Sequence, residues 1–381
     1  MKILHTSDWH LGHMLYDYDR REEHEDMLRQ ICETVRKRQP DLFLLCGDVF
    51  HTSQPSAAVQ KMFVDAMMEI RGASPKMTMV VTSGNHDSGS RHEIYRNPLK
   101  SMDVHMVGMI DRDNPENHII EIPGKGIVVA VPYANERNIP EGFVQHLLDK
   151  ALKRSDGVLP VIMTAHTTVS GFDFKGHDDV SDYSVGGIDY VSLDKMGEGF
   201  DYLALGHIHH AQTIKSGGRV ARYSGSPLPV SFDEAYPHTL TWVEIDKHGD
   251  EPIISEVGIE NPKPLITLPK EEYMSWETAK ELLKDFPSEV PAYIRLNVEV
   301  KDFLPPGAHG EAINLLTGKE AKFCLINPRR KGIVSDEKSM MSIEEFREKD
   351  PLELVKAYAK DMGIDFDADM ENLFRQCLEG F

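Results

Sequence analysis

The chain has 381 residues, of which 40% are hydrophobic, and a formal net charge of −20. This length accommodates one large domain and a smaller one, and the negative charge argues against a broad basic surface for nucleic acid. Four widely spaced cysteines argue against a disulfide or thiolate-zinc framework, and no apolar run approaches the roughly 20 residues that cross a bilayer.

The first third of the chain alternates predicted strands and helices. Apolar runs predict strands at residues 2–7, 41–46 and 77–81, and apolar residues at helical spacing between them predict two helices. This βαβαβ order indicates parallel strands joined by helical crossovers. The first strand begins directly at the N-terminus with no signal-peptide pattern, so we expect a cytoplasmic protein.

The stretch up to about residue 260 is richer in strands, and histidine-containing motifs again follow strand ends. We therefore predict an α/β protein whose residues 1–260 form a four-layer sandwich of two mixed sheets flanked by helices. The additional predicted strands are 127–132, 158–165, 201–205, 219–224, 239–245 and 252–258.

Composition changes at Asn261-Pro-Lys-Pro264, which predicts a linker. Helical patterns and alternating strands between 261 and 333 predict a small α+β domain. Residues 334–381 become polar and end in short amphipathic patterns, which predict a C-terminal helical segment.

Five short motifs in the first 210 residues each follow an apolar run. Their donor atoms are carboxylate and amide oxygens mixed with imidazole nitrogens, a set that suits Mn²⁺, Fe or Zn²⁺. Together they predict a two-metal site that cleaves phosphate esters. The predicted ligands are Asp8, His10, Asp48, Asn85, His166, His207 and His209.

Asp48 is the predicted bridge between the two cations, because it follows Gly47 in a tight turn from strand to loop. His207 and His209 are two positions apart, so on an extended segment they point the same way and supply one ligand to each cation. Which histidine serves which cation stays open. The other predicted ligands divide into Asp8 with His10 on one side and Asn85 with His166 on the other.

Three further residues are predicted to take part in catalysis. His86 follows a ligand and is expected to protonate the leaving oxygen or to stabilise charge at phosphorus. Asp87 is expected to orient His86 by accepting its other N–H. His51, three residues after Asp48, is expected to contact a phosphate, and the alternative is a loop histidine with no special role.

The five motifs resemble the calcineurin-like metallophosphoesterase superfamily over roughly residues 1–260. Within it, the stretches 1–12, 47–50, 204–209 and 222–234 resemble the SbcD family of bacterial nuclease subunits. This resemblance implies a DNA nuclease of repair and recombination, holding two Mn²⁺ and using His86 as its catalytic histidine. It implies 3′→5′ exonuclease activity on double strands and endonuclease activity on single strands and hairpins.

The resemblance also implies an assembly. Residues 261–333 would be a capping domain that contacts DNA. The amphipathic patterns in 334–381 indicate a segment that binds an SbcC-like ATPase, and the alternative is a segment that folds back on the capping domain. The active unit would be a homodimer of this chain within a heterotetramer, without a membrane partner.

Two alternatives remain open from the sequence. The first is a phosphomonoesterase or cyclic-nucleotide phosphodiesterase on the same fold. Protein phosphatases of the superfamily typically carry Gly-Asp-x-x-Asp-Arg-Gly, whereas this chain has Gly47-Asp-Val-Phe-His-Thr-Ser53, which disfavours that branch. The second is a scaffold for the ATPase that has lost catalysis, against which the intact ligand set argues.

Overall fold

The chain divides into two compact units, residues 1–299 with 304–329 and residues 300–303 with 330–381. Most of the second unit lies outside the described residues, and so does the predicted segment 334–381 apart from three positions. Within the described part, no helix combines the length and apolarity needed to cross a membrane. The computed structural model describes residues 1–134, 138–170, 191–301 and 303–330 and positions 370, 371 and 374.

The first unit contains two six-stranded mixed sheets. In the first sheet the order is β14-β13-β1-β4-β5-β6. Strands β1, β4, β5 and β6 are parallel, β13 is antiparallel to β1, and β14 is antiparallel to β13. Its parallel strands are fully buried at β4 and β5, as expected for strands covered on both faces. The bounds are β1 Lys2–Thr6, β4 Leu42–Cys46, β5 Thr78–Thr82, β6 Val104–Val107, β13 Thr239–Glu244 and β14 Ile253–Gly258.

In the second sheet the order is β11-β12-β10-β9-β8-β7. Its four central strands are parallel, and the edge strands β7 and β11 are antiparallel to their neighbours. The predicted strands of both sheets are confirmed to within a few residues. The bounds are β7 Ile119–Ile122, β8 Gly126–Ala130, β9 Val161–His166, β10 Tyr202–Gly206, β11 Gln212–Ser216 and β12 Arg219–Tyr223.

The two sheets pack face to face, and helices cover their outer faces. The alternation along β4 shows this arrangement: Leu42 and Leu44 lie in the core between the sheets, whereas Phe43 and Leu45 pack toward the helices. The helices α1 and α2 cover the first sheet and α4 covers the second. The predicted four-layer α/β sandwich is therefore confirmed. The helix bounds are α1 Arg21–Arg38, α2 Ala57–Ala73, α3 Gly89–Lys100 and α4 Phe143–Arg154, with short 3₁₀ helices at Pro115–His118 and Leu193–Met196.

Several elements were not predicted from the sequence. Helix α3 contains Pro98, which weakens a helical pattern. Helix α4 carries Phe143, Leu147, Leu148 and Ala151 at helical spacing, a signal that the sequence analysis left unassigned. A hairpin of two-residue strands, β2 Met14–Leu15 and β3 Tyr18–Asp19, is too short to show a period.

A small three-stranded sheet lies within the predicted segment 261–333. Its order is β15-β16-β17, and helices α5 and α6 accompany it. The sheet contacts the rest of the first unit: the Tyr293 hydroxyl donates to Glu23 Oε1 over 2.7 Å, and the Tyr18 hydroxyl donates to the Phe323 carbonyl over 2.9 Å. The bounds are β15 Leu265–Leu268, β16 Tyr293–Val300, β17 Lys322–Arg330, α5 Trp276–Asp285 and α6 Ala308–Leu315.

Candidate metal centre

The five motifs meet at one rim of the sandwich because each lies at the carboxyl end of a parallel strand. Strands β1, β4 and β5 are neighbours in the first sheet, and β9 and β10 are neighbours in the second. Strand β4 contacts both β9 and β10 across the sandwich, which brings the two sets of loops together. Asp8 and His10 follow β1, Asp48 follows β4, Asn85 follows β5, His166 ends β9, and His207 and His209 follow β10.

Four of the predicted ligands adopt a positive φ, a backbone conformation that L residues rarely adopt. Each such residue costs about 1–3 kcal/mol unless its surroundings enforce the conformation. Four such residues meet where the predicted ligand side chains converge, an arrangement that is typical of a functional site. The residues are Asp8 (φ 54°), His10 (45°), Asp48 (48°) and His207 (98°).

Two glycines of the motifs are required by close contacts between loops. A Cβ atom on Gly84 would lie 2.1 Å from Asp48 Oδ1, and one on Gly206 would lie 1.9 Å from the Cys46 carbonyl oxygen. Any side chain at these positions would push the strand ends apart. The Gly-Asn and Gly-His pairs of the motifs therefore let the ligand-bearing loops approach each other.

Asp8, His10 and His209 form the first half of the centre. His10 Nε2 lies 3.1 Å from His209 Nε2 and 3.9 Å from Asp48 Oδ2. The ligand atoms of Asp8, His10 and His209 all lie within 4.8 Å of one another. The Ser7 hydroxyl donates to Asp8 Oδ2 over 2.5 Å, which fixes that carboxylate.

Asn85, His166 and His207 form the second half. Asn85 Oδ1 lies 3.0 Å from both His166 Nε2 and His207 Nδ1. His166 Nε2 also lies 3.3 Å from Asp48 Oδ2. Of the two histidines that follow β10, His209 therefore lies beside His10 and His207 beside Asn85.

These separations fit divalent cations. With metal–nitrogen distances of about 2.1 Å, ligands at neighbouring coordination positions lie about 3 Å apart. The two imidazole nitrogens of His10 and His209 face each other at 3.1 Å, and the oxygen and nitrogen donors around Asn85 are spaced at 3.0 Å. Asp48 is 2% exposed and contacts ligands of both halves, the place of a bridging carboxylate.

The second nitrogen of two ligand imidazoles is held by an acceptor. His166 Nδ1 donates to the Cys46 carbonyl over 2.9 Å, and His209 Nδ1 donates to Glu234 Oε1 over 2.8 Å. Each bond fixes the ring orientation and the tautomer in which Nε2 carries the lone pair that a metal needs.

The electrostatics of the centre favour positive charge. Burial by itself would lower the pKa of His166, but the nearby carboxylates of Asp48 and Asp8 raise that pKa to about 9. Burial acts in the same way on His209, where Glu234 raises the pKa to about 9. Burial alone would raise the pKa of Asp48, yet attraction to the surrounding imidazoles, His166 above all, brings it below the ordinary value. The buried carboxylates therefore stabilise positive charge in this centre, and a bound cation would supply such a charge.

His86 and His51 lie beside this centre. The His86 backbone N–H donates to Asp48 Oδ1 over 2.9 Å, and His86 Nδ1 donates to the His51 carbonyl over 3.0 Å. These bonds leave Nε2 as the nitrogen that can face a substrate. The rings of His51 and His86 are stacked with centroids 5.7 Å apart, and burial lowers the pKa of His51.

Asp87 has contacts that differ from the predicted ones. Its side chain is fully buried and accepts three backbone N–H groups: Oδ2 from Val49 at 3.1 Å and Gly84 at 2.9 Å, and Oδ1 from Phe50 at 3.0 Å. The carboxylate joins the loops that follow β4 and β5. In this geometry the His51 carbonyl takes the N–H of His86 that Asp87 was expected to accept.

Glu234 is the residue of the centre that the sequence analysis missed. It lies in the stretch 222–234, which was used only for its resemblance to a family. Glu234 is 6% exposed, and a buried carboxylate far along the chain gives no local sign of the imidazole that it contacts.

Comparisons with known proteins agree with this geometry. The family model described as calcineurin-like phosphoesterase matches residues 1–211. The chain is 32% identical to the SbcD subunit of the nuclease SbcCD from Rhodobacter capsulatus over 297 residues, covering 71% of this chain and 72% of that protein. It is 31% identical to the Bacillus subtilis protein of the same name, covering 80% of each, and 28% identical to the Escherichia coli one, covering 80% and 79%. The chain therefore belongs to the calcineurin-like phosphoesterase family and, within it, to the SbcD nuclease subunits, which makes it a metal-dependent phosphodiesterase.

Proposed function

We propose that this chain is a DNA nuclease whose active form holds two Mn²⁺ at the rim of the sandwich. The observation that carries the proposal is the arrangement around Asp48, which lies within 4 Å of ligand nitrogens from both halves of the centre. Asp8, His10, Asp48 and His209 would hold the first cation. Asp48, Asn85, His166 and His207 would hold the second.

When bound, the cations would neutralise charge on the phosphate oxygens and lower the pKa of the attacking water. Three residues of the chain act on the substrate or position the groups that do. His86, held by the Asp48 carboxylate and the His51 carbonyl, presents Nε2 to the phosphodiester and gives a proton to the departing 3′ oxygen. His51 stacks beside it and contacts a phosphate oxygen. Asp87 joins the loops after β4 and β5 by accepting backbone N–H groups, and it thereby positions His86 indirectly.

On the substrate side, we propose 3′→5′ exonuclease activity on double strands and endonuclease activity on single strands and hairpins. The relatives are named as subunits of the nuclease SbcCD, which supports a complex with an SbcC-like ATPase. We propose that the segment 261–333 acts as a capping domain that contacts DNA and that 334–381 binds the ATPase. The assembly would be a homodimer of this chain within a heterotetramer. Within the part of the chain that the structure describes, three cysteines are free and buried, which supports a cytoplasmic location.

One set of assays separates this function from its alternatives. The purified chain with Mn²⁺ is incubated with a blunt duplex, a hairpin, and p-nitrophenyl esters of phosphate and thymidine phosphate. A nuclease cleaves the duplex and hairpin, whereas a phosphomonoesterase hydrolyses only the simple ester. An absence of turnover on every substrate, with metals bound, would leave the scaffold alternative standing.

A further inference from the structure

We infer that Arg295, on the three-stranded sheet, is a positioning residue for the first half of the metal centre. It acts through the loop that carries Glu234, so that the seating of this sheet sets how firmly the first cation is held. The inference rests on the proposed two-cation centre and adds a residue to it that lies outside the predicted nuclease domain.

The loop in question is the segment 226–234, which follows β12. Glu234, at its end, accepts the Nδ1 proton of His209 over 2.8 Å. The other carboxylate oxygen of Glu234 accepts from the Ser226 hydroxyl and the Val230 backbone N–H, each over 3.3 Å. The position of Glu234 therefore depends on the conformation of this loop, since no regular strand or helix fixes it.

Arg295 holds this loop from the side of the small sheet. Its Nη1 atom donates to Asp233 Oδ1 over 2.6 Å and its Nη2 atom to the Phe232 carbonyl over 3.4 Å. The guanidinium carbon also lies 5.3 Å from the centroid of the Phe232 ring. Arg295 is itself anchored within its sheet, because Nε donates to Thr267 Oγ1 over 3.0 Å.

Packing makes this connection stiff. Phe232 is 5% exposed and belongs to an apolar cluster with Leu15, Tyr293 and Cys324, which joins the loop to the small sheet. On the opposite side, the buried Arg20 donates to the Pro229 carbonyl over 2.6 Å. Arg20 thus holds the middle of the loop and Arg295 its end, and a shift of the small sheet pulls on Asp233, the neighbour of Glu234.

A consequence follows for metal binding. Residues that orient a metal-bound imidazole commonly change metal affinity by roughly 10–100-fold when they are removed. Loss of Arg295 lets Asp233 and Phe232 move, so Glu234 holds His209 less firmly and the first cation binds more weakly. His166 and the second cation are unaffected, because the Cys46 carbonyl that orients His166 belongs to strand β4.

The test compares Arg295→Met, Glu234→Gln and the double variant in the full-length chain. Mn²⁺ binding is measured by isothermal titration calorimetry and by electron paramagnetic resonance of free Mn²⁺. We expect roughly a tenfold loss of affinity at the first site for Arg295→Met and up to a hundredfold loss for Glu234→Gln, with the second site unchanged. In the double variant, Arg295→Met adds nothing to the effect of Glu234→Gln. Arg295→Lys, which keeps a charge for Asp233, restores part of the affinity.

Arg154→Met provides a matched control. Arg154 forms ion pairs with Glu116 and Glu121 and lies on the last turn of α4, at the rim opposite the ligands, so its loss leaves both affinities unchanged. Thermal melting of each variant confirms that it is folded. Additive effects of Arg295→Met and Glu234→Gln, or an unchanged first site in Arg295→Met, would overturn the inference. A wild-type chain that binds no metal would instead overturn the proposed centre itself.

Discussion

The two halves of the candidate metal centre each combine one oxygen donor with two imidazoles but are supported in different ways. In the second half, His166 is the last residue of a buried strand and its ring is held by the backbone carbonyl of Cys46. In the first half, His209 lies on a loop and is held by Glu234, a side chain from another loop. The imidazole of His166 is therefore held as firmly as the two sheets, whereas that of His209 depends on a side chain that can move separately.

This difference indicates which of the two proposed cations is bound with an affinity that other parts of the protein can change. A backbone carbonyl inside a sheet cannot be displaced without unfolding the strand, because its own ladder and the core fix it. A carboxylate on a loop can be displaced by any force on that loop. Regulation by the small sheet or by a partner would therefore reach the first cation more readily than the second.

The largest effect is expected from Asp48→Asn, which removes the carboxylate that both halves share. The amide is neutral, so the second half has no carboxylate left and the first half retains only that of Asp8. Both metals should be lost and cleavage should fall to background, while the circular dichroism spectrum stays native. Elemental analysis measures the metal content, and two tightly bound ions in this variant would contradict the bridging assignment.

His86→Ala should affect neither half of the centre. The imidazole is proposed to touch the substrate, so its removal should leave both metals bound and reduce cleavage by roughly 10²–10⁴-fold, as for a lost general acid. Single-turnover cleavage of a labelled hairpin gives the rate. His105→Ala is the control and should cleave normally. His105 lies on β6, and its imidazole bonds to Asp103. Near-normal turnover of His86→Ala would show that His86 is structural.

Glu234→Gln should break only the adjustable half. The side-chain amide is uncharged, so His209 becomes a weaker and less well-oriented ligand. We expect the first cation to bind roughly 10–100-fold more weakly and cleavage to be restored at high Mn²⁺ concentration. The measurement is the Mn²⁺ concentration at half-maximal rate. An unchanged value would mean that the two halves are supported equally.

The smallest expected effect is the release of protons from His166 and His209 when Mn²⁺ binds, which compares one imidazole from each half of the centre. His166 and His209 have pKa values of about 9 without metal, so at pH 7 both rings carry a proton that must leave before they bind a cation. Mn²⁺ binding at pH 7 should release one proton from each imidazole, and affinity should rise with pH until about 9 and then level off. Calorimetry in buffers of different ionisation enthalpy counts the protons. Glu234→Gln should reduce the release from His209 alone, since Glu234 is the largest of the carboxylates that raise the pKa of His209, ahead of Asp8 and Asp48.

Much of this protein was already determined by short-range features of its sequence. Apolar runs such as Leu42–Cys46 specify buried strands because a parallel strand covered on both faces needs no polar residue. Ligands placed after such runs have to meet at one rim, because the carboxyl ends of parallel strands share an edge. The fold class, the four layers and the set of converging ligands follow from these two facts.

The tertiary structure alone decided how the ligands are paired and supported. His207 and His209 are equivalent in spacing, and it is the packing of the two sheets that places the first beside Asn85 and the second beside His10. Asp87 was expected to orient an imidazole and Glu234 was not, yet Glu234 is the carboxylate that does so, for a similar reason. A carboxylate next to His86 in the chain turns to backbone amides, while one 25 positions after His209 reaches its ring. Local sequence cannot specify such contacts, because they depend on which distant segments the packing of the two sheets brings together.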